Sequence, residues 1–82
     1  MEDAKMEVVR RAGAGDEKAR KALQVLIDPV LGRKAEKLLK DTGGGELEKV
    51  IDLLAKVQGV RELLSANKPL KRAIDHAIYL HL

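Results

Sequence analysis

The feature that most constrains this chain is a helical period of apolar residues that glycine and proline interrupt. Apolar side chains recur every three or four residues along its length, and no stretch alternates apolar and polar residues as a half-buried strand does. The interruptions are GAG at 13–15, DP at 28–29, GGG at 43–45 and NKP at 67–69. The pattern predicts an all-α fold, a compact single-domain bundle of five to six short helices that is not a coiled coil.

These breaks set the bounds of six predicted helices, about residues 2–12, 17–27, 29–41 or 42, 46–58, 60–66 and 69–82. Asp16 and Asp28 precede the second and third helices, where a side-chain oxygen can accept hydrogen bonds from free backbone N–H groups. Gly59 is expected to end the fourth helix in the left-handed conformation that glycine favours. Gly32 falls within the third helix on its apolar stripe, which predicts that another helix approaches closely there.

The fourth helix has the widest apolar arc, and we place it at the centre of the bundle. A helix that is apolar around more than half of its circumference is mostly buried. The side chains expected to be almost fully buried are Leu47, Val50, Ile51, Leu54 and Val57. The last helix is expected to face inward through Leu70, Ala73, Ile74, Ala77 and Ile78.

Length and composition exclude several classes of protein. One domain, residues 1–82, is expected because the chain is too short for two cores. The absence of cysteine excludes disulfides, zinc thiolates and a thiol nucleophile. No apolar run approaches the roughly 18 residues of a membrane span, and the amino terminus lacks the apolar segment of a signal peptide. A soluble monomer is expected, cytoplasmic if it is made in a cell.

The carboxyl terminus, DHAIYLHL, holds both histidines and the single aromatic residue, Tyr79. His76 and His81 project about 140° apart around one helix, whereas two metal ligands on one helix are normally three or four residues apart. We therefore expect no metal, no haem and no catalytic residue in this segment. His81 is expected to half-pack against the core, and Tyr79 to face solvent near Arg72 and Asp75.

Two short motifs suggest phosphate binding, and neither is complete. The segment AKVQGVRELLSANKPLKRAI resembles the helix-hairpin-helix motif of DNA-repair proteins, whose hairpin reads apolar-x-Gly-apolar-Gly. Residues 57–60 match the first four positions, but Arg61 stands where the second glycine lets backbone N–H groups reach a phosphate. GGG at 43–45 precedes a helix but lacks the Lys and Ser or Thr of a P-loop, so it is interpreted as a turn.

A basic stripe on the third helix is the remaining candidate surface. Arg33, Lys34, Lys37 and Lys40 are expected on one side of this helix, with Lys68, Lys71 and Arg72 as candidates to extend it. An RNA or DNA backbone could lie along such a stripe. Because the net charge is only +3 and is spread along the chain, we expect no specific nucleic-acid binding and at most weak, salt-sensitive attraction.

Local signals agree with one another along the whole chain. Acidic and basic residues have the favourable acid-first spacing of four at Glu7–Arg11, Glu17–Lys21, Glu36–Lys40 and Asp52–Lys56. Aspartate and proline stand at helix starts, and glycine at helix ends. In these respects the chain resembles a computationally designed, de novo all-helical protein of the idealised kind. That resemblance implies a scaffold that folds to a stable monomer and needs no cofactor, partner, ligand or reaction.

The alternative is a natural helical interaction module, since the helix count and size are also similar to those of the death-domain superfamily. Such a module would bind protein or nucleic acid through the basic face formed by Arg33, Lys34, Lys37, Lys40, Lys71 and Arg72. Neither alternative predicts an enzyme, because the sequence assembles no nucleophile with a base and no paired carboxylates.

Overall fold

The computed structural model describes residues 4–41 and 46–82, which form five α-helices and no strand. They are α1 (Ala4–Gly13), α2 (Glu17–Leu26), α3 (Gly32–Asp41), α4 (Leu47–Leu63) and α5 (Lys68–His81). The prediction of a compact all-α bundle is confirmed. The predicted start of the first helix at residue 2 and the turn at 43–45 lie outside the described residues. Within those residues, no helix is long and apolar enough to cross a membrane.

Side-chain caps start three of the helices. Asp16 accepts hydrogen bonds from the backbone N–H groups of Lys18 and Ala19, and the left-handed Gly15 (φ 98°) precedes it in the turn. The Asp28 carboxylate accepts from the N–H groups at 30 and 31, both at 2.9 Å, just before α3. Both predicted caps are confirmed. The sequence reading missed a third cap, in which Asn67 accepts from the N–H of residue 70 at 3.2 Å.

Helices α2 and α4 together form the centre of the core. Helix α2 packs against α1, α3 and α4. Its buried side chains are Ala19, Ala22, Val25 and Leu26, and those of α4 that meet the core are Val50, Ile51 and Leu54. Burial of Val50, Ile51 and Leu54 is as predicted, whereas Leu47 and Val57 are only half-buried. Leu47 begins α4 at the edge of the core, and Val57 packs against the core from its border.

The prediction that Gly59 ends a helix is wrong. Helix α4 continues through this residue to Leu63, so the predicted short helix at 60–66 is mainly the last turn of α4. A glycine inside a helix costs only about 1 kcal/mol relative to alanine. The side chain of Arg61 offsets this cost, because it is fixed by two carboxylates that belong to other parts of the bundle.

Gly32 makes the close approach that was predicted, although it is the first residue of α3 and not an interior one. A Cβ built at this position would lie 2.6 Å from the carbonyl oxygen of Leu26, at the end of α2. Only glycine allows the two backbones to come this close without a shift of the chain. The turn between α2 and α3 is therefore closed by backbone packing.

Helix α5 is oriented differently from the prediction. None of its residues is fully buried, and Leu70, Ala73 and Ala77 are exposed, although the sequence predicted them to face inward. Ile74 and Ile78 were also predicted to face inward, and both are half-buried. Seven of the 14 residues of this helix are apolar and they form a broad arc, so the pattern alone does not fix which part of the arc packs. The arc that contains Asp75 packs inward, because this carboxylate pairs with Arg61 of α4.

Candidate functional site

Three cationic side chains of α3 line a groove beside α5. Ala35 and Leu39 of α3 are buried in the core, so residues 33, 34 and 37 project from the opposite side of the same helix. The carboxyl-terminal half of α5 reaches this side of α3 through Tyr79. The groove has a volume of about 560 Å³ and is lined by Pro29, Val30, Arg33, Lys34, Lys37 and Tyr79.

Tyr79 forms the α5 wall of this groove. The Nζ of Lys34 lies 4.6 Å from the centre of the Tyr79 ring, which is a cation–π contact. Tyr79 is exposed, as predicted, but its ring also contacts Lys34 of α3, which the sequence did not indicate. Inward packing of Asp75 turns the tyrosine towards α3. The contact occupies one face of the ring and joins two helices that are otherwise in little contact.

The cations of the groove have no carboxylate partner in the described part of the chain. No described Asp or Glu lies within ion-pair distance of Arg33, Lys34 or Lys37. Carboxylates and phosphates are the groups that such cations bind through charge-assisted hydrogen bonds. The groove can therefore hold an anionic group without breaking an existing ion pair among these residues.

The structure divides the predicted basic face into two parts. The Nζ of Lys40 lies 3.7 Å from the carboxylate of Glu36, so Lys40 already has an anionic partner within α3. Lys71 pairs with Asp75 at 3.0 Å and lines a different groove. Arg72 is exposed on α5, seven residues before Tyr79, so it lies on the groove side of that helix two turns away. Arg33, Lys34 and Lys37 therefore form the compact part of the face, and Arg72 can extend it.

A buried ion-pair node, absent from the sequence prediction, joins the other ends of the helices. Arg61 donates to the Oδ1 of Asp28 at 2.6 Å and to the Oδ1 of Asp75 at 3.0 Å. All three side chains are mostly buried, and Arg61 is the one buried charged residue in the described part of the chain. The node connects the α2–α3 turn, α4 and α5. Its partners are 33 and 14 residues away in sequence, so no local pattern indicated it.

The charges in this node compensate one another. Burial raises the pKa of Asp28, but hydrogen bonds from the Leu31 N–H, the Arg61 guanidinium and the Val30 N–H outweigh it, so the pKa lies below its ordinary value. For Arg61, burial lowers the pKa, and the hydrogen bonds from its guanidinium to Asp28 and Asp75 more than reverse this effect. The adjacent groove has a volume of about 360 Å³ and is bordered by this node, whose charged groups already have partners.

Both histidines are exposed on α5. The prediction that His81 half-packs against the core is wrong, since Leu82 packs there instead. No group of three or more potential ligands that could hold a metal occurs within residues 4–41 and 46–82. The helix-hairpin-helix interpretation is also wrong, because Gly59 lies inside the continuous helix α4 and forms no hairpin.

The groove therefore brings together three cations that have no carboxylate partner in the part of the chain that the structure describes. Its cations can bind an anion, and Val30, which is 54% exposed, adds an apolar contact. Comparison of the chain with protein-family models, with curated proteins and with solved structures finds no match.

Proposed function

We propose that this chain is a non-catalytic helical module that binds an acidic, partly apolar protein segment in the α3–α5 groove. The observation that carries the proposal is the set of three cations, Arg33, Lys34 and Lys37, without a carboxylate partner among the described residues. Arg33 and Lys37 are one helical turn apart, about 5–6 Å between their Cβ atoms. Two carboxylates one turn apart on a partner helix have the same separation.

The groove favours a protein segment over nucleic acid for two reasons. The exposed apolar side chain of Val30 in the groove can pack against an apolar residue of a partner but gains little against a phosphate backbone. Tyr79, the only aromatic residue, has Lys34 over its ring, so that face is not free to stack on a base. Nucleic acid remains the alternative that the experiment tests.

The test is a binding titration with a fluorescent, helical peptide that repeats Glu and Leu at helical spacing. The double variant Arg33→Gln, Lys37→Gln should bind about tenfold more weakly, because it loses at least one charge-assisted hydrogen bond. The matched control is Lys49→Gln, Lys56→Gln, which removes two exposed charges from α4 and should weaken binding less than about threefold.

Equal losses in the two double variants would reduce the attraction to net charge and contradict a groove. A parallel titration with duplex DNA of about 20 base pairs at physiological salt tests whether nucleic acid is the partner instead of a protein segment. Tighter binding of DNA than of the peptide, with the same dependence on Arg33 and Lys37, would assign the groove to nucleic acid. Raising the salt concentration should weaken both interactions.

A second candidate is a designed scaffold of the idealised helical kind, whose property is to fold to a stable monomer. The described residues support it through their satisfied polar groups, since no buried side-chain N or O atom there is without a hydrogen-bond partner. Ion pairs also link helices at Lys5–Glu36, Lys18–Asp52 and Lys21–Glu62. Under this candidate, the peptide and DNA titrations both show no saturable binding.

A further inference from the structure

Helix α5 presents a second apolar face to solvent, away from both grooves. Leu70, Ala73, Ala77 and Leu80 follow one another at spacings of three, four and three residues, so they form a single stripe along the helix. All four are exposed, and Leu80 is 62% exposed. We call these four residues the α5 seam. Tyr79, which faces α3, lies roughly opposite the seam on the helix.

The α5 seam has the same order of residue types in both directions along the helix. Its residues are placed symmetrically about position 75, with leucines five residues away on each side and alanines two residues away. If two copies of the helix pack antiparallel about position 75, Leu70 meets Leu80 of the partner subunit. Ala73 then meets Ala77 of the partner subunit, and the small side chains allow the two backbones to approach closely. The seam is thus complementary to itself, as an interface with two-fold symmetry requires.

We propose that α5 mediates an antiparallel homodimer of this chain through its seam. The charged side chains of the helix do not oppose a second copy as the occupant. Lys68, Lys71, Arg72 and Asp75 project from the side of the helix away from the seam, at about 80° or more from its nearest residue. Two cationic copies can therefore meet along α5 without placing like charges against one another.

The size of the surface indicates a reversible dimer. Helix α5 has 14 residues and is about 21 Å long. A single helix pair of this length buries less than the roughly 800 Å² per partner of a standard stable interface. The seam contributes nothing to the core of one protomer, so the protomer keeps its fold when the dimer dissociates. The α3–α5 groove also stays open, so this inference does not depend on the proposed function.

Sedimentation equilibrium across micromolar to millimolar concentrations tests the dimer. The average mass should rise from 9.0 kDa towards twice that value. Ala77→Glu should keep the mass at 9.0 kDa, because the larger charged side chain cannot fit against Ala73 of the partner subunit. Met6→Glu is the control: Met6 is 63% exposed on α1, and its replacement should leave association unchanged.

Circular dichroism must show that both variants keep their helix content, and glutamate is a good helix former. A wild-type mass that stays at 9.0 kDa at the highest concentration would overturn the proposal in favour of a monomer. Equal weakening of association by Ala77→Glu and Met6→Glu would also overturn it, because the contact would then not be specific to the seam.

Disulfide cross-linking tests the antiparallel register, and the cysteine-free chain makes it selective. One preparation carries Ala73→Cys and the other Ala77→Cys. After mixing and mild oxidation, the mixed dimer should form several times more than either self-linked dimer, because positions 73 and 77 face each other across the two-fold axis. A predominance of self-linked dimers would indicate parallel packing and reject the proposed arrangement.

Discussion

The four-helix body of α1–α4 and the terminal helix α5 are held in place by different interactions. The body buries a set of aliphatic side chains almost completely, including Val8, Val25, Leu31 and Leu54, each with no exposed surface. Helix α5 has no fully buried residue. The body is therefore stabilised mainly by removal of apolar surface from water.

Specific polar contacts hold α5 against this body. Asp75 pairs with Arg61 of α4, and the ring of Tyr79 contacts Lys34 of α3. Ile78 and Leu82 add partly buried apolar contacts to the core. Directional contacts fix which way the helix faces without burying much of it. As a result, the two surfaces proposed to bind a partner, the α3–α5 groove and the α5 seam, both involve α5.

Core truncations should show the largest difference between the two regions. Leu54→Ala in α4 should lower the free energy of unfolding by about 2–5 kcal/mol, because it opens a cavity in the closest-packed part of the body. Ile78→Ala in α5 should cost about 1 kcal/mol, since its side chain is only half-buried. Urea unfolding followed by circular dichroism measures both. Equal costs would show that α5 is as much a part of the core as α4.

Removal of Arg61 should release α5 from the body. Arg61→Met leaves two partly buried carboxylates without their shared guanidinium, although Lys71 still pairs with Asp75, and this should destabilise the fold by about 1–3 kcal/mol. Hydrogen exchange should accelerate in α5 more than in α2. The control Arg20→Met removes an exposed arginine whose one ion pair among the described residues is with Glu17, and should cost less than about 0.5 kcal/mol. Uniform acceleration of exchange throughout the chain would mean that α5 does not open separately.

Two glycines provide a smaller contrast, with effects of opposite sign. Gly32→Ala should destabilise by about 1–3 kcal/mol, because its Cβ would lie 2.6 Å from the Leu26 carbonyl oxygen, and Gly32→Leu should cost more. Gly59→Ala should stabilise by up to about 1 kcal/mol, because no atom lies within 4 Å of an added Cβ and alanine favours the helix. Melting temperatures that shift in the same direction for both alanine variants would contradict this account.

The glycines also show what the sequence could predict. Helical periodicity and the Asp16 and Asp28 caps are local features, so the fold class and most helix boundaries followed from them. Whether Gly59 ends a helix depends on what lies beyond it, and Arg61 keeps α4 helical through contacts with distant residues. Local propensity is a weak signal when tertiary contacts oppose it.

The sequence predicted which cations of α3 form the candidate site but not how α5 is placed beside them. The stripe of Arg33, Lys34 and Lys37 follows from helical spacing alone. The ion pairing of Lys71 with Asp75 and the turn of Tyr79 towards α3 depend on how α5 is rotated, and its apolar residues were too numerous to decide this. Two expected helical pairs were also replaced by contacts between helices, since Lys21 binds Glu62 and Asp52 binds Lys18.

Acid should weaken the ion pairs of the body by protonating their carboxylates. Hydrogen bonds from Arg10 and Arg11 lower the pKa of Glu7 to about 2. Because this folded-state pKa is below the ordinary value of 4.5, the interaction stabilises the fold above that pH and is lost as the pH falls towards 2. Carboxyl NMR titration should find the low midpoint, and Arg10→Gln should raise it. A midpoint near 4.5 in the wild-type chain would contradict the arginine contacts.

The smallest effects on stability should come from the histidines at the end of α5, because both are exposed and neither contributes to the core of the body or to the groove. His76→Ala and His81→Ala should each change the free energy of unfolding by less than about 0.5 kcal/mol, as is usual for surface substitutions. Titration with zinc, followed by calorimetry, should show no stoichiometric binding, since two histidines about 140° apart on one helix do not converge on an ion. A one-to-one zinc complex lost in either variant, or a loss of stability above 1 kcal/mol with the helix content intact, would give the terminal turn a role that its loose packing does not predict.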